Sequence, residues 1–232
     1  MQTGRFCAKI RVQDILKIQS KKEGMDMKVL VLNGSPHEKG CTYTALCEVA
    51  GALEKNGIET EIFQIGNKPV AGCIGCGSCR KTGRCVFEGG VNEFVEKAKE
   101  ADGFIFGSPV YYANASGQIS SFLDRAFYSG SAAFAYKPGA AVASCRRAGT
   151  TATLDQLNKY FTINCMPVVS SQYWNQVHGS NAKQVKQDLE GLQTMRTLGQ
   201  NMAWMLKNIE AGRKAGVEFP KYETPVYTNF IR

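Results

Sequence analysis

Residues 73–85 read CIGCGSCRKTGRC, which places Cys73, Cys76, Cys79 and Cys85 in the spacing C-x2-C-x2-C-x5-C. Four thiolates so close in sequence suit a cubane [4Fe–4S] cluster, whose corners three cysteines on a C-x2-C-x2-C turn can meet. Glycines at 72, 75, 77 and 83 permit the tight, partly left-handed backbone that such wrapping needs. Arg80, Lys81 and Arg84 offer positive charge against a four-thiolate site. Three other readings stay open. Zinc usually takes two C-x-x-C knuckles separated by a longer insertion. A redox-active C-x-x-C pair leaves two of the cysteines without a role. A metal-free cysteine-rich loop is the plainest alternative.

Three further stretches have the residue types of a ligand site. Gly34-Ser-Pro-His-Glu-Lys-Gly-Cys-Thr42 offers the Ser35 and Thr42 hydroxyls, a flexible Gly40 and a helix start. Backbone N–H groups and the helix dipole make such a loop fit for a phosphate monoester. Its spacing is neither GxGxxG nor GxxxxGKS, which disfavours a dinucleotide or ATP. Gly107-Ser-Pro-Val-Tyr-Tyr-Ala-Asn-Ala-Ser-Gly-Gln118 repeats the GSP signal and follows it with aromatic, small and amide residues. Such a loop can wrap a flat heteroaromatic ring, or its tyrosines can simply pack. Ser144-Cys-Arg-Arg-Ala-Gly-Thr-Thr151 adds hydroxyls and two fixed positive charges, which beside a flavin ring favour its anionic reduced form. Ser171 to Gly179, with Tyr173, Trp174 and Asn175, fits either a wall over the ligand or a packing surface, and His178 reads as structural.

Each of these loops follows an apolar run. Met27–Asn33, Ile58–Ile65, Gly103–Phe106, Ala140–Ser144 and Met166–Ser170 read as strands, most of them buried on both faces. Helices are expected from Thr42 with Leu46, Val49, Ala50 and Leu53 inward, then over Val91–Glu100, Gly117–Tyr128, Thr151–Phe161 and Ala182–Lys207. The last presents Leu189, Leu192, Met195, Leu198, Met202 and Met205 to the core. Alternating strands and helices call for a parallel sheet with right-handed crossovers and helices on both faces. Ligands of such sheets sit beyond the carboxyl ends of the strands, where the strand order reverses.

At 232 residues, one α/β domain accommodates these elements. The division expected is a basic extension over 1–26, a domain over 27–208 and a tail over 209–232. A hydrophobic share of 44% with 21% charged residues is that of a globular protein. No apolar run is long enough to span a bilayer. The first 26 residues lack the apolar stretch of a secretory signal, so a cytoplasmic location is expected. An odd count of nine cysteines argues against a disulfide framework. Cys7, Cys41, Cys47, Cys145 and Cys165 read as small buried hydrophobes. The formal charge of +8 is accompanied by no nucleic-acid recognition motif, so an anionic cofactor or substrate is the expected partner, rather than nucleic acid or membrane.

GSPHEKGCT, then GSPVYYANASGQISSFLDR, then the loop at 144–151 resemble the flavodoxin-like NAD(P)H-dependent FMN reductases, and especially their iron–sulfur flavoprotein branch, over about Met27 to Lys207. The resemblance implies a doubly wound five-stranded parallel sheet of order 2-1-3-4-5. It implies that Ser35, Pro36, His37, Gly40, Cys41 and Thr42 hold the FMN phosphate. Pro109, Val110, Tyr111, Tyr112, Ala113 and Asn114 then line the isoalloxazine, and Ser144, Arg146, Arg147 and Gly149 close its other side. Cys73, Cys76, Cys79 and Cys85 become candidate ligands of a [4Fe–4S] cluster. It further implies NAD(P)H as electron donor, a small-molecule or protein acceptor and a homodimer or homotetramer. An electron carrier without nicotinamide turnover is the alternative. Hydride transfer to flavin needs no protein acid or base, so no catalytic residue is assigned.

Overall fold

The computed structural model describes residues 27–220 together with 223, 226 and 228; the basic extension at 1–26, with Cys7, lies outside the described residues. Strand β1 (Lys28–Asn33) lies one in from the edge of the sheet, with β2 (Glu59–Gln64) on one side and the central β3 (Gly103–Tyr111) on the other, both parallel to it. Beyond β3 lie β5 (Gly139–Cys145) and β6 (Gln176–His178), also parallel. The order of the parallel strands is therefore β2-β1-β3-β5-β6, with the reversal of strand order at β1/β3. A sixth strand, β4 (Asn114–Ala115), turns back antiparallel on the end of β3.

Two apolar layers result because successive strand residues point to opposite faces. Leu30, Leu32, Phe104, Phe106, Ala141 and Ala143 face α3 (Val91–Glu100), α4 (Gly117–Phe134) and α5 (Thr150–Ile163). Val29, Val31, Ile105, Ala140 and Val142 face α1 (Cys41–Glu54) and α7 (Leu189–Lys214). The first layer is built on phenylalanine. Phe94 is fully buried and meets Phe63, Phe106, Phe122 and Phe134 at centroid separations of 5.3, 6.4, 5.3 and 6.1 Å.

Four expectations change. The strand expected over Met166–Ser170 reduces to one bridge, Gly139 to Val168. Pro167 accepts from Gly139 N, and Val169 N donates to Gly139 O. The chain then loops out and rejoins the sheet edge as β6. The helix expected from Ala182 is two, a single turn α6 (Ala182–Val185) and then α7, because the Asp188 carboxylate accepts from Gly191 N and starts a new helix. Leu189, the first residue of α7, is consequently exposed rather than inward, whereas Leu192, Met195, Leu198 and Met202 are buried. The helix from Gly117 runs past Tyr128 to Phe134, kinked at Gly130; a Cβ there would lie 2.4 Å from Val95 Cγ1, so α3 and α4 touch at that point. Finally, Cys165 is exposed, in the turn after α5 with a left-handed backbone; Cys145 is buried and Cys41 and Cys47 are half-buried.

Replacing Phe94 by alanine removes the ring shared by these contacts. The expected loss is about 3–5 kcal/mol of stability, read as a lower urea midpoint at unchanged slope and fixed FMN concentration.

Candidate functional site

Three loops leave the carboxyl ends of β1, β3 and β5, which are neighbours in the sheet. In the first, Gly34 N donates to Gly107 O at 2.8 Å, which fastens it to the second loop. A side chain at Gly34 would meet Ile119 Cδ1 at 2.5 Å, so only glycine allows this approach. Ser35 is buried; its N–H donates to Asn33 Oδ1, and its Oγ accepts from His37 N, both at 3.2 Å. Gln64 at the end of β2 donates to Ser35 O at 2.7 Å. Helix α1 then begins at Gly40 with no side-chain cap, which leaves first-turn N–H groups for a ligand or water. His37 is exposed, Pro36, Gly40 and Cys41 are half-buried, and Thr42 is buried.

The second loop differs from expectation in being more regular. Strand β3 continues through Pro109 and Val110 to Tyr111, and Tyr112 and Ala113 make a two-residue hairpin with φ of 50° and 60° before Asn114. Positive φ at both central positions matches the twist of the flanking strands, although neither residue is a usual choice there. The hairpin thrusts Tyr112 fully into solvent and leaves Tyr111 half-exposed. Two buried serines anchor it. Ser116 N donates to Ser108 Oγ at 2.9 Å, and Ser116 Oγ donates to Gly34 O at 2.9 Å. Ser116 Oγ also accepts from Ile119 N, capping α4.

The third loop closes on both others. The Ser144 and Thr42 hydroxyls meet at 2.8 Å in a buried contact, so these two expected ligand groups already serve as a brace between loops. Gly149 has φ of 90°, and a Cβ there would stand 2.7 Å from Ala113 Cα and 2.8 Å from Val110 Cγ1. Arg146 and Arg147 are exposed between these fixed points. The structure thus brings all the expected flavin-site residues to one edge of the sheet. Ser171–Asn175 stands beside them: Tyr173 and Trp174 are half-exposed with ring centroids 4.6 Å apart, and Asn175 is buried.

The four cysteines line one cavity of 490 Å3, together with Arg80, Phe87, Asp124, Arg125 and Tyr128. Gly75, Gly77 and Gly83 have φ of 66°, 72° and 70°, the left-handed wrapping expected of them; Gly72 does not. Short helix α2 (Cys79–Thr82) carries Cys79, whose Sγ donates to Tyr128 O at 3.5 Å. Burial pushes the Cys79 thiol up, and Cys73, Cys76 and Cys85 nearby add to it. Among the described residues no group of three or more His, Cys, Asp or Glu is assembled as a single bound metal ion requires. The donor set still fits a cluster: four thiols on one wall, glycines that free the backbone, and a buried cation behind Cys85. That cation is Arg125, only 2% exposed, whose Nε donates to Cys85 Sγ at 3.2 Å. The expected cations Arg80, Lys81 and Arg84 are all exposed, and of the three Arg80 lines the cavity.

A parallel sheet of this order, with a phosphate-type loop and an aromatic hairpin at the strand-order reversal, defines a flavodoxin-like flavin-binding protein. The family model for NADPH-dependent FMN reductases matches residues 27–180, and the chain belongs to that family, in its iron–sulfur flavoprotein branch. An iron–sulfur flavoprotein of Methanocaldococcus jannaschii is 35% identical over 79% of this chain and 100% of its own. Among solved structures, a flavodoxin from the domain Archaea superposes with a TM-score of 0.54 at 16% identity, covering 78% of this chain and 99% of the other. FerB, a flavoenzyme NAD(P)H:(acceptor) oxidoreductase from Paracoccus denitrificans, reaches 0.60 at 14% identity, covering 78% and 98%. Family membership makes the protein a flavin-dependent oxidoreductase. Among the described residues no helix is long and apolar enough to cross a membrane.

Gly149→Ala forces the third loop away from Ala113 in a backbone conformation that side chains disfavour. It is expected to cost about 1–3 kcal/mol of stability and to weaken FMN binding, measured by urea unfolding and by quenching of FMN fluorescence.

Proposed function

We propose that the protein binds FMN at the three interlocked loops, takes electrons from NADH or NADPH and passes them to a small-molecule or protein acceptor through the four-cysteine site. The observation that carries this reading is the locking of the loops after β1, β3 and β5 into one edge, by Gly34 to Gly107, Ser116 to Gly34 and Thr42 to Ser144. FMN, when bound, supplies an acceptor for hydride and a conversion point between paired and single electrons. Ser35, Pro36, His37, Gly40, Cys41 and Thr42 hold its phosphate, with the uncapped start of α1 contributing N–H donors and the helix dipole. Pro109, Val110, Tyr111, Tyr112, Ala113 and Asn114 present the hairpin to the ring. Ser144 and Gly149 fix the opposite loop, and Arg146 and Arg147 place positive charge where a reduced ring gains negative charge.

Cys73, Cys76, Cys79 and Cys85 are the ligands of a [4Fe–4S] cluster, which stores one electron at a time. Helix α4 would link the two sites: Ser116 at its N-terminus anchors the hairpin, while Arg125, Tyr128 and Ser129 line the cysteine cavity. Gly117 to Arg125 spans about 12 Å along that helix. The two sites therefore share one rigid element. The protein acts as a homodimer or homotetramer in the cytoplasm, with its domain over 27–208 and with 1–26 and 209–232 as appendages; helix α7, which ends at Lys214, joins the last of these to the core.

Anaerobic stopped-flow mixing of the FMN-loaded protein with NADH or NADPH tests the donor. Rapid bleaching of the flavin bands by at least one of them is the expected result. Negligible bleaching by both, with rapid reduction by a one-electron donor protein, makes the protein an electron carrier instead.

A further inference from the structure

Among the described residues Arg125 is the largest fully buried side chain, and it carries a permanent charge. Its guanidinium has four partners. Nη1 donates to Ala71 O at 3.3 Å, Nη2 donates to Phe87 O and to Glu88 O at 2.7 Å, and Nε donates to Cys85 Sγ at 3.2 Å. The Phe87 ring lies 5.6 Å from the guanidinium carbon. Among the described residues no carboxylate forms an ion pair with it. Asp124, its neighbour on α4, accepts from Tyr160 O–H at 2.6 Å instead. A buried cation held by neutral carbonyls alone is costly. The one partner able to carry a full negative charge is Cys85, and through it whatever the four thiolates bind.

We propose that Arg125 is a positioning residue of the four-cysteine site: it clamps both ends of the cysteine loop, holds Cys85 toward the cavity and supplies the buried positive charge that stabilises a reduced cluster there. The inference rests on the reading that this loop holds a [4Fe–4S] cluster. The geometry divides its work. The bonds to Ala71 before the loop and to Phe87 and Glu88 after it fix the two points where the loop joins the domain. The Cys85 amide is fixed separately, donating to Asn92 Oδ1 at 2.8 Å, while Asn92 Nδ2 donates back to Cys85 O at 3.0 Å. Cys85 is thus held by its backbone from α3 and by its sulfur from α4, whereas Cys73 and Cys76 are exposed. An N–H bond to a ligand sulfur and a nearby positive charge both favour the more negative, reduced state, and so raise the potential.

The test compares wild type, R125K and R125Q, each purified anaerobically with FMN bound. Iron and sulfide content, cluster loss to a chelator and the cluster midpoint potential from an EPR-monitored titration are read on all three. In R125Q, cluster loss about 10- to 100-fold faster than wild type and a lower midpoint, with FMN content unchanged, are expected; R125K, which keeps charge without the fork, is expected to fall between. Equal potentials and equal loss rates in all three overturn the proposal and leave the cluster reading intact. A wild type that holds no iron after anaerobic reconstitution overturns both. Should the variants fail to fold, the R80K/R84K double variant grown on 15N-arginine, in which Arg125 is the arginine left at the cavity, decides the matter: pulsed EPR of the reduced cluster shows coupling to an arginine nitrogen if the proposal holds, and none if it fails.

Discussion

The buried hydrogen bond from Ser116 Oγ to the Gly34 carbonyl, 2.9 Å long, is the joint on which the rest of the site depends. One hydroxyl caps α4, ties the β3 hairpin to the loop after β1 and sits beside Ser108, which receives the Ser116 amide. A buried hydroxyl with such partners is worth little as a net gain but expensive to disrupt, because the buried Gly34 carbonyl and the Ile119 amide each lose a partner. With this joint made, the loop after β5 needs only the Thr42–Ser144 contact and the narrow passage past Gly149 to complete the edge.

Helix α4 converts that local joint into a relation between two sites. Its first turn belongs to the loop edge, and its third and fourth turns form a wall of the cysteine cavity. Gln156 and Tyr160 of α5 run alongside: Gln156 accepts from Ala115 N at 2.9 Å and donates to Ser120 Oγ at 3.1 Å, and Tyr160 bonds Asp124. Burial, followed by that carboxylate, drives the Tyr160 hydroxyl well above its ordinary range, which favours its role as the donor to Asp124. A polar seam thus lies along α4 from the hairpin toward the cavity, on the partly exposed flank where α5 packs against it.

Much of this was legible in the sequence, for identifiable reasons. Met27–Asn33 and Gly103–Phe106 are apolar without interruption, which a parallel strand covered on both faces requires, and both are strands. Val91–Glu100 has a strong one-sided pattern and is a helix over the residues expected. The cysteine spacing and its glycines pointed to a shared site, and the four thiols do line one cavity. What escaped was set by tertiary contacts. Nothing in VYYANA announces a tight hairpin, since Tyr112 and Ala113 are poor left-handed residues held there by packing against Gly149. Met166–Ser170 has the composition of a strand, yet Pro167 and the excursion at Ser171–Asn175 move the edge pairing to Gln176–His178. Arg125 was invisible because the three basic residues among the cysteines, Arg80, Lys81 and Arg84, looked sufficient, while the one that reaches Cys85 is forty positions away.

The central claim is that one sheet edge and one helix hold a flavin and an iron–sulfur cluster in the same chain. Anaerobic purification followed by a visible spectrum, with FMN, iron and acid-labile sulfide determined on the same sample, tests it most directly. The account predicts flavin bands over a broad absorbance and about four irons and four sulfides per chain. Flavin bands with neither iron nor sulfide, before and after anaerobic reconstitution, would contradict it and leave the cysteine loop without its cluster.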